Sequence, residues 1–96
     1  MSRRPSHPGP IIRNVILPET QMMINELATR CGVARNTMSK VINERGDVTE
    51  DLAIRLSRVL GSTPQFWLSM QSKLNLWDLE QANKRIYDQM ERLRVV

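Results

Sequence analysis

The stretch "ELATRCGVARNTMSKVINERG", from Glu26 to Gly46, limits what this chain can fold into more than any other. It holds two short helical patterns with little between them but Gly32 and Val33: Leu27, Ala28 and Cys31 recur at helical spacing on the first, Met38, Val41 and Ile42 on the second. Helices joined so tightly must cross at a steep angle. That requires a small side chain at the crossing and a glycine in the turn, free to take a positive φ. Ala28 and Gly32 meet both needs. With Leu27, Cys31, Val33, Met38 and Val41 turned inward, the second helix carries Arg35, Asn36, Thr37, Ser39 and Lys40, whose polar side chains form a rigidly held outer face.

The flanking segments also read as helices. "PIIRNVIL" places Ile11, Ile12, Val15 and Ile16 on one stripe, which Pro18 is expected to end. A further helix from Thr49 or Glu50 to Leu60 has Thr49 as N-cap, Glu50 and Asp51 at its positive end, and Gly61 as its stop. Its inward residues are Leu52, Ala53, Leu56, Val59 and Leu60. Thr63 and Pro64 start the next, which carries Phe66, Trp67, Met70 and Leu74 and is expected to break at Asn75. The remainder forms a last helix with Leu79, Ala82, Ile86, Met90 and Leu93 on a narrow seam, flanked by Glu80 with Lys84 and Asp88 with Arg92. No alternating β-branched run interrupts this series, so the fold class is all-α, with five to six helices. One domain is expected at residues 8–75, preceded by a flexible basic arm at 1–7 and followed by a C-terminal helix at 76–96 that makes a dimer or partner contact.

Fourteen Lys and Arg against ten Asp and Glu leave a formal charge of +4, which favours an anionic partner. "MSRRPSHPGP" lacks the apolar core of a secretory leader, and no run of about 18 apolar residues is present to span a bilayer. A cytoplasmic location without membrane association follows as the expectation. One cysteine, Cys31, and one histidine, His7, provide neither an internal disulfide nor a metal ligand set. His7 is expected to be structural at the start of the first helix, and Cys31 to be a small buried side chain. No carboxylate pair, triad or phosphate-cradling glycine loop points to an enzyme, a cofactor or a small-molecule substrate.

A polar helix held against a second helix suits the major groove of double-stranded DNA, where Arg bonds guanine, Asn bonds adenine, and Ser or Lys reaches phosphate or base edges. "LATRCGVARNTMSKVIN" resembles the helix-turn-helix of Xre-like (Cro/CI-type) proteins, which implies a lambda-repressor-like domain. The resemblance extends to "HPG", "VTEDLAIRLSRVLGSTPQFWLSMQ" and "LNLWDL", which look like the HigA or VapI branch of antitoxins and cover about His7 to Leu79. The chain differs from this pattern in having Ile24 for a phosphate-binding Gln, Ala34 for a capping Ser or Thr, "NERGDVT" for "NGKRGIT", and Asn75 for an aspartate.

The resemblance implies a homodimer that binds a palindromic operator, represses its own operon and neutralises a HigB-type mRNA-cleaving toxin. The alternative is a stand-alone Xre-type repressor with no toxin. A third possibility is a protein-interaction module that has lost DNA binding. Arg35, Asn36, Thr37, Ser39 and Lys40 are the expected base and phosphate contacts. Arg45, Arg3 and Arg4 are weaker phosphate candidates.

Overall fold

A computed structural model describes residues 3–94. Residues 1–2 of the expected arm and 95–96 of the expected last helix lie outside the described residues. Six helices make up the described residues, with no strand among them.

Helix α1, residues 9–20, does not end at Pro18. Between the α-helical turns Gly9–Ile11 and Leu17–Thr20 it widens into a π-helical segment, Ile12–Ile16, where the Leu17 N–H reaches back five residues to the Ile12 carbonyl. A proline inside an α-helix lacks a donor and crowds the carbonyl four residues earlier; the wider turn relieves that conflict, and the helix passes through. The inserted residue also shifts the inward stripe. Ile12 is fully buried and Ile16 and Leu17 pack partly beside it, while Val15, expected inward, is exposed.

Helix α2 is Ile24–Cys31 and α3 is Arg35–Ile42. Between them Gly32 takes φ +70°, and the N–H groups of Gly32 and Val33 bond the Thr29 and Ala28 carbonyls, each at 3.0 Å. This closes the end of α2 with the left-handed residue that the sequence reserves for glycine. Helix α4, Glu50–Leu60, and α5, Pro64–Ala82, each begin on a threonine: the Thr49 hydroxyl accepts the Leu52 N–H and the Thr63 hydroxyl accepts the Phe66 N–H, both at 3.2 Å. The core draws on every one of these helices: Ile12, Leu27, Ala28, Cys31, Met38, Val41, Ile42, Leu52, Ala53, Leu56 and Trp67, with Val48 from the loop before α4. Trp67 is buried with its indole N–H on the Ser62 hydroxyl at 2.8 Å, whereas Trp77 is only half-buried.

Helix α5 runs straight through Asn75, contrary to the expected break there. The Asn75 side chain is engaged away from its own backbone: it accepts from the Gln71 amide at 3.0 Å and donates to Asp47 at 3.3 Å. The break comes instead at Asn83, whose side-chain amide bonds the Leu79 carbonyl and competes with the helix ladder. Only a short α6, Lys84–Asp88, follows. The anticipated seam stands in solvent, with Leu79 53%, Ile86 57%, Met90 67% and Leu93 81% exposed. A helix that buries no face has only local propensity to hold it, which explains why it is short. Lys84 pairs with Asp88 at 2.9 Å rather than with Glu80. The radius of gyration is 16.5 Å, against about 12–13 Å for a compact chain of this length, because this end extends beyond the core.

Candidate nucleic-acid interface

Helices α2 and α3 meet as the sequence predicts. Ala28 is buried at the crossing, and Leu27 and Cys31 face Met38, Val41 and Ile42 in the shared core. Burial pushes the Cys31 thiol above its ordinary range, with Arg55 pulling weakly the other way, so it stays protonated and acts as a small apolar group.

The outer face of α3 is polar from end to end. Arg35, Asn36 and Thr37 occupy its exposed first turn, Lys40 is exposed one turn on, and Ser39 is half-exposed, its carbonyl held by the Asn43 amide at 2.9 Å. Arg45 is exposed in the loop that follows, its backbone N–H on the Lys40 carbonyl at 2.7 Å. Among the described residues, Arg35, Lys40 and Arg45 take part in no ion pair, whereas Arg4, Arg30, Arg55 and Lys84 each hold a carboxylate. Ala34 offers no side-chain cap, so the first N–H groups of α3 remain open donors at the end where Arg35 stands.

Arg4 is placed elsewhere. Its guanidinium forms two parallel 2.9 Å bonds to Asp78 on α5, which hold the Asp78 carboxyl below the usual carboxylate range. Arg3 is exposed.

Two supports of this face escape local sequence reasoning. Arg55 on α4 donates to the Cys31 carbonyl at 2.9 Å and the Gly32 carbonyl at 3.2 Å, capping the end of α2 while pairing with Asp51 at 2.8 Å. The loop after α3 is held from α5, where buried Gln71 accepts the Val48 N–H at 2.9 Å. The Asp47–Asn75 bond joins two of the positions at which this chain departs from the branch pattern, so the two departures are partners. Glu44 is a third: it closes α3 at φ +62°, a left-handed position where the pattern has glycine.

Residues 20–67 match the HTH_3 helix-turn-helix family. The chain belongs to that family. It is 35% identical over 94 residues to an uncharacterised helix-turn-helix transcriptional regulator of Haemophilus influenzae, a match covering 98% of this chain and 87% of that protein. It is 41% identical over 76 residues to the antitoxin HigA-1 of Vibrio cholerae, covering 79% and 71% of the two chains. A solved structure of the Pseudomonas aeruginosa antitoxin HigA with the higBA promoter superposes with a TM-score of 0.87 at 35% identity, over 95% of this chain and all of that one. These relatives place the chain on the HigA-type branch of the Xre-like family, whose members are DNA-binding regulators and antitoxins rather than enzymes. Among the described residues, no helix is long and apolar enough to cross a membrane.

Proposed function

We propose that this chain is a HigA-like antitoxin that binds its own operator through α3, represses its operon and neutralises a HigB-type mRNA-cleaving toxin. The observation that carries the DNA-binding part is the outer face of α3: exposed Arg35, Asn36, Thr37 and Lys40 and half-exposed Ser39, with no carboxylate among the described residues paired to the cations, on a helix fixed by buried Met38, Val41 and Ile42. In this reading Arg35 and Asn36 meet base edges, Thr37, Ser39 and Lys40 meet bases or nearby phosphates, and Arg45 meets a phosphate beyond the helix. Arg4, already committed to Asp78, contributes less to phosphate binding than the sequence implies.

The active form in the cytoplasm is a homodimer on a palindromic site, its two α3 helices separated by about 34–36 Å, one turn of DNA. Residues 76–96 make the contact with the second copy or with the toxin, a role supported by the solvent-facing Leu76, Leu79, Ile86 and Met90. Residues 8–75 act as the DNA-binding unit. The near full-length match to an uncharacterised transcriptional regulator favours a second reading, a stand-alone repressor with the same DNA contacts and no toxin.

Co-expression with the neighbouring small reading frame separates the two. With only this chain tagged, a stoichiometric complex with a small protein that is toxic on its own supports the antitoxin. A homodimer eluting beside a harmless neighbour assigns the stand-alone repressor.

A further inference from the structure

The His7-Pro8-Gly9 segment does more than begin α1. His7 is buried, and its ring spans two elements: Nδ1 accepts the Gly9 N–H at 2.9 Å, and Nε2 lies 3.0 Å from the Gly46 carbonyl oxygen. Since Nδ1 accepts, the ring proton sits on Nε2 and is donated to Gly46. Gly9 is pressed against the last turn of α3, where a Cβ would collide with the carbonyl oxygens of Val41 and Ile42. The segment therefore touches the end of the recognition helix through Gly9 and the loop beyond it through His7. That loop carries Arg45, one residue before the carbonyl that His7 holds, and includes left-handed Glu44. Its own closure consists of the bonds from Glu44 to Val41 and from Arg45 to Lys40, both onto α3, and the His7 bond ties it to a second element.

We infer that His7 is a positioning residue for DNA binding: the Nε2–H to Gly46 bond sets the loop after α3, and so the placement of Arg45 against the phosphate backbone. This inference rests on the DNA-binding role proposed above. The bonds that reach the loop from α5, Gln71 on Val48 and Asn75 on Asp47, act after Gly46, so on the Arg45 side His7 adds a bond from a separate element to the loop's own closure onto α3.

Two substitutions separate its two bonds. In His7→Gln the longer carboxamide reaches as far as Nε2 and keeps a donor for Gly46. In His7→Asn the shorter one reaches only as far as Nδ1 and keeps an acceptor for Gly9. The probe is a duplex that the wild-type chain selects from a random pool, titrated at fixed salt beside a scrambled duplex. His7→Asn should lose about three- to tenfold in affinity for the selected duplex, the weight of one net hydrogen bond, while His7→Gln stays within about twofold of wild type. Wild-type affinity in His7→Asn, or equal losses in both variants, overturns the inference.

If the wild-type chain selects no duplex, the DNA-binding role itself fails. The clamp is then judged by hydrogen exchange at the Arg45 amide, which is faster in His7→Asn but not in His7→Gln if the clamp holds, and equal in both if it does not. Nitrogen-15 spectra of the wild-type imidazole need no variant. Protonated Nε2 with bare Nδ1 supports the assignment, and the opposite tautomer contradicts it.

Discussion

Helices α4 and α5 start differently from α2 and α3. The first pair is capped by the hydroxyls of Thr49 and Thr63, whereas the second begins at Met23 and Ala34 with no side-chain hydrogen bond. A missing cap costs a helix about 1 kcal/mol, so α2 and α3 are the weaker pair by local interactions. Their stability comes from the side that faces inward, where Leu27, Ala28, Cys31, Met38, Val41 and Ile42 are all buried. Helices α4 and α5 each satisfy one first-turn donor with a cap hydroxyl. Helix α3 keeps its first donors open at the surface where Arg35 stands, so the locally less stable start is the one suited to an anion.

The largest effect that sharpens this contrast is in the core. Met38→Ala, at a fully buried site on α3, should cost about 2–5 kcal/mol in denaturant unfolding, more than any cap change. A loss below 1 kcal/mol would mean that the inward face does not hold α3. Next come the caps themselves. Thr63→Ala should destabilise by about 1 kcal/mol, and Ala34→Ser should stabilise by a similar amount, both read as shifts in melting temperature. If Ala34→Ser proved neutral, α3 would already be capped in some other way and the contrast would fail. Smaller still is Glu44→Gly, which removes a left-handed glutamate at the end of α3. It should gain about 0.5–1 kcal/mol, since the relief of left-handed strain exceeds the added freedom of the unfolded chain. Destabilisation would show that the Glu44 side chain makes a contact worth more than its strain.

The smallest effect is that of pH on the Arg4–Asp78 pair. Bonding to Arg4 lowers the Asp78 carboxyl, so its contribution is fully present above the ordinary carboxylate range and is lost as pH falls through the lowered value. The pair is exposed and screened, so wild type and Asp78→Asn should differ slightly at neutral pH and converge in acid. A difference that grew on acidification would reverse the assigned sign.

What could be read in advance was whatever the chain encodes locally. Gly32 and Gly61 end helices at positive φ, and Thr49, Thr63 and Pro64 start them, because stops and caps act within a few residues. The outward position of Arg35, Asn36 and Lys40 followed from the spacing of Met38, Val41 and Ile42. The failures came where distant partners decide. Pro18 reads as a stop unless the helix can widen before it, and Asn75 reads as a break unless Asp47 lies beside it, 28 residues away in sequence. His7 and Gly46 are 39 residues apart and Arg55 and Cys31 are 24 apart, so neither bond leaves a mark in periodicity. The C-terminal seam differs: its period is helical, but among the described residues nothing covers it, and only the short α6 forms there.

The most direct test of the central claim, that the outer face of α3 distinguishes DNA sequences, is a titration of wild type, Arg35→Ala and Lys40→Ala at several salt concentrations. The probes are a duplex from the region upstream of this chain's own reading frame and a scrambled duplex. The account predicts that wild type prefers its own upstream duplex and that Arg35→Ala loses about 1–3 kcal/mol of that preference. Lys40→Ala should weaken both duplexes alike, with a salt dependence about one unit shallower. Equal affinities of wild type and Arg35→Ala for the upstream duplex, with an unchanged preference over the scrambled one, would contradict it.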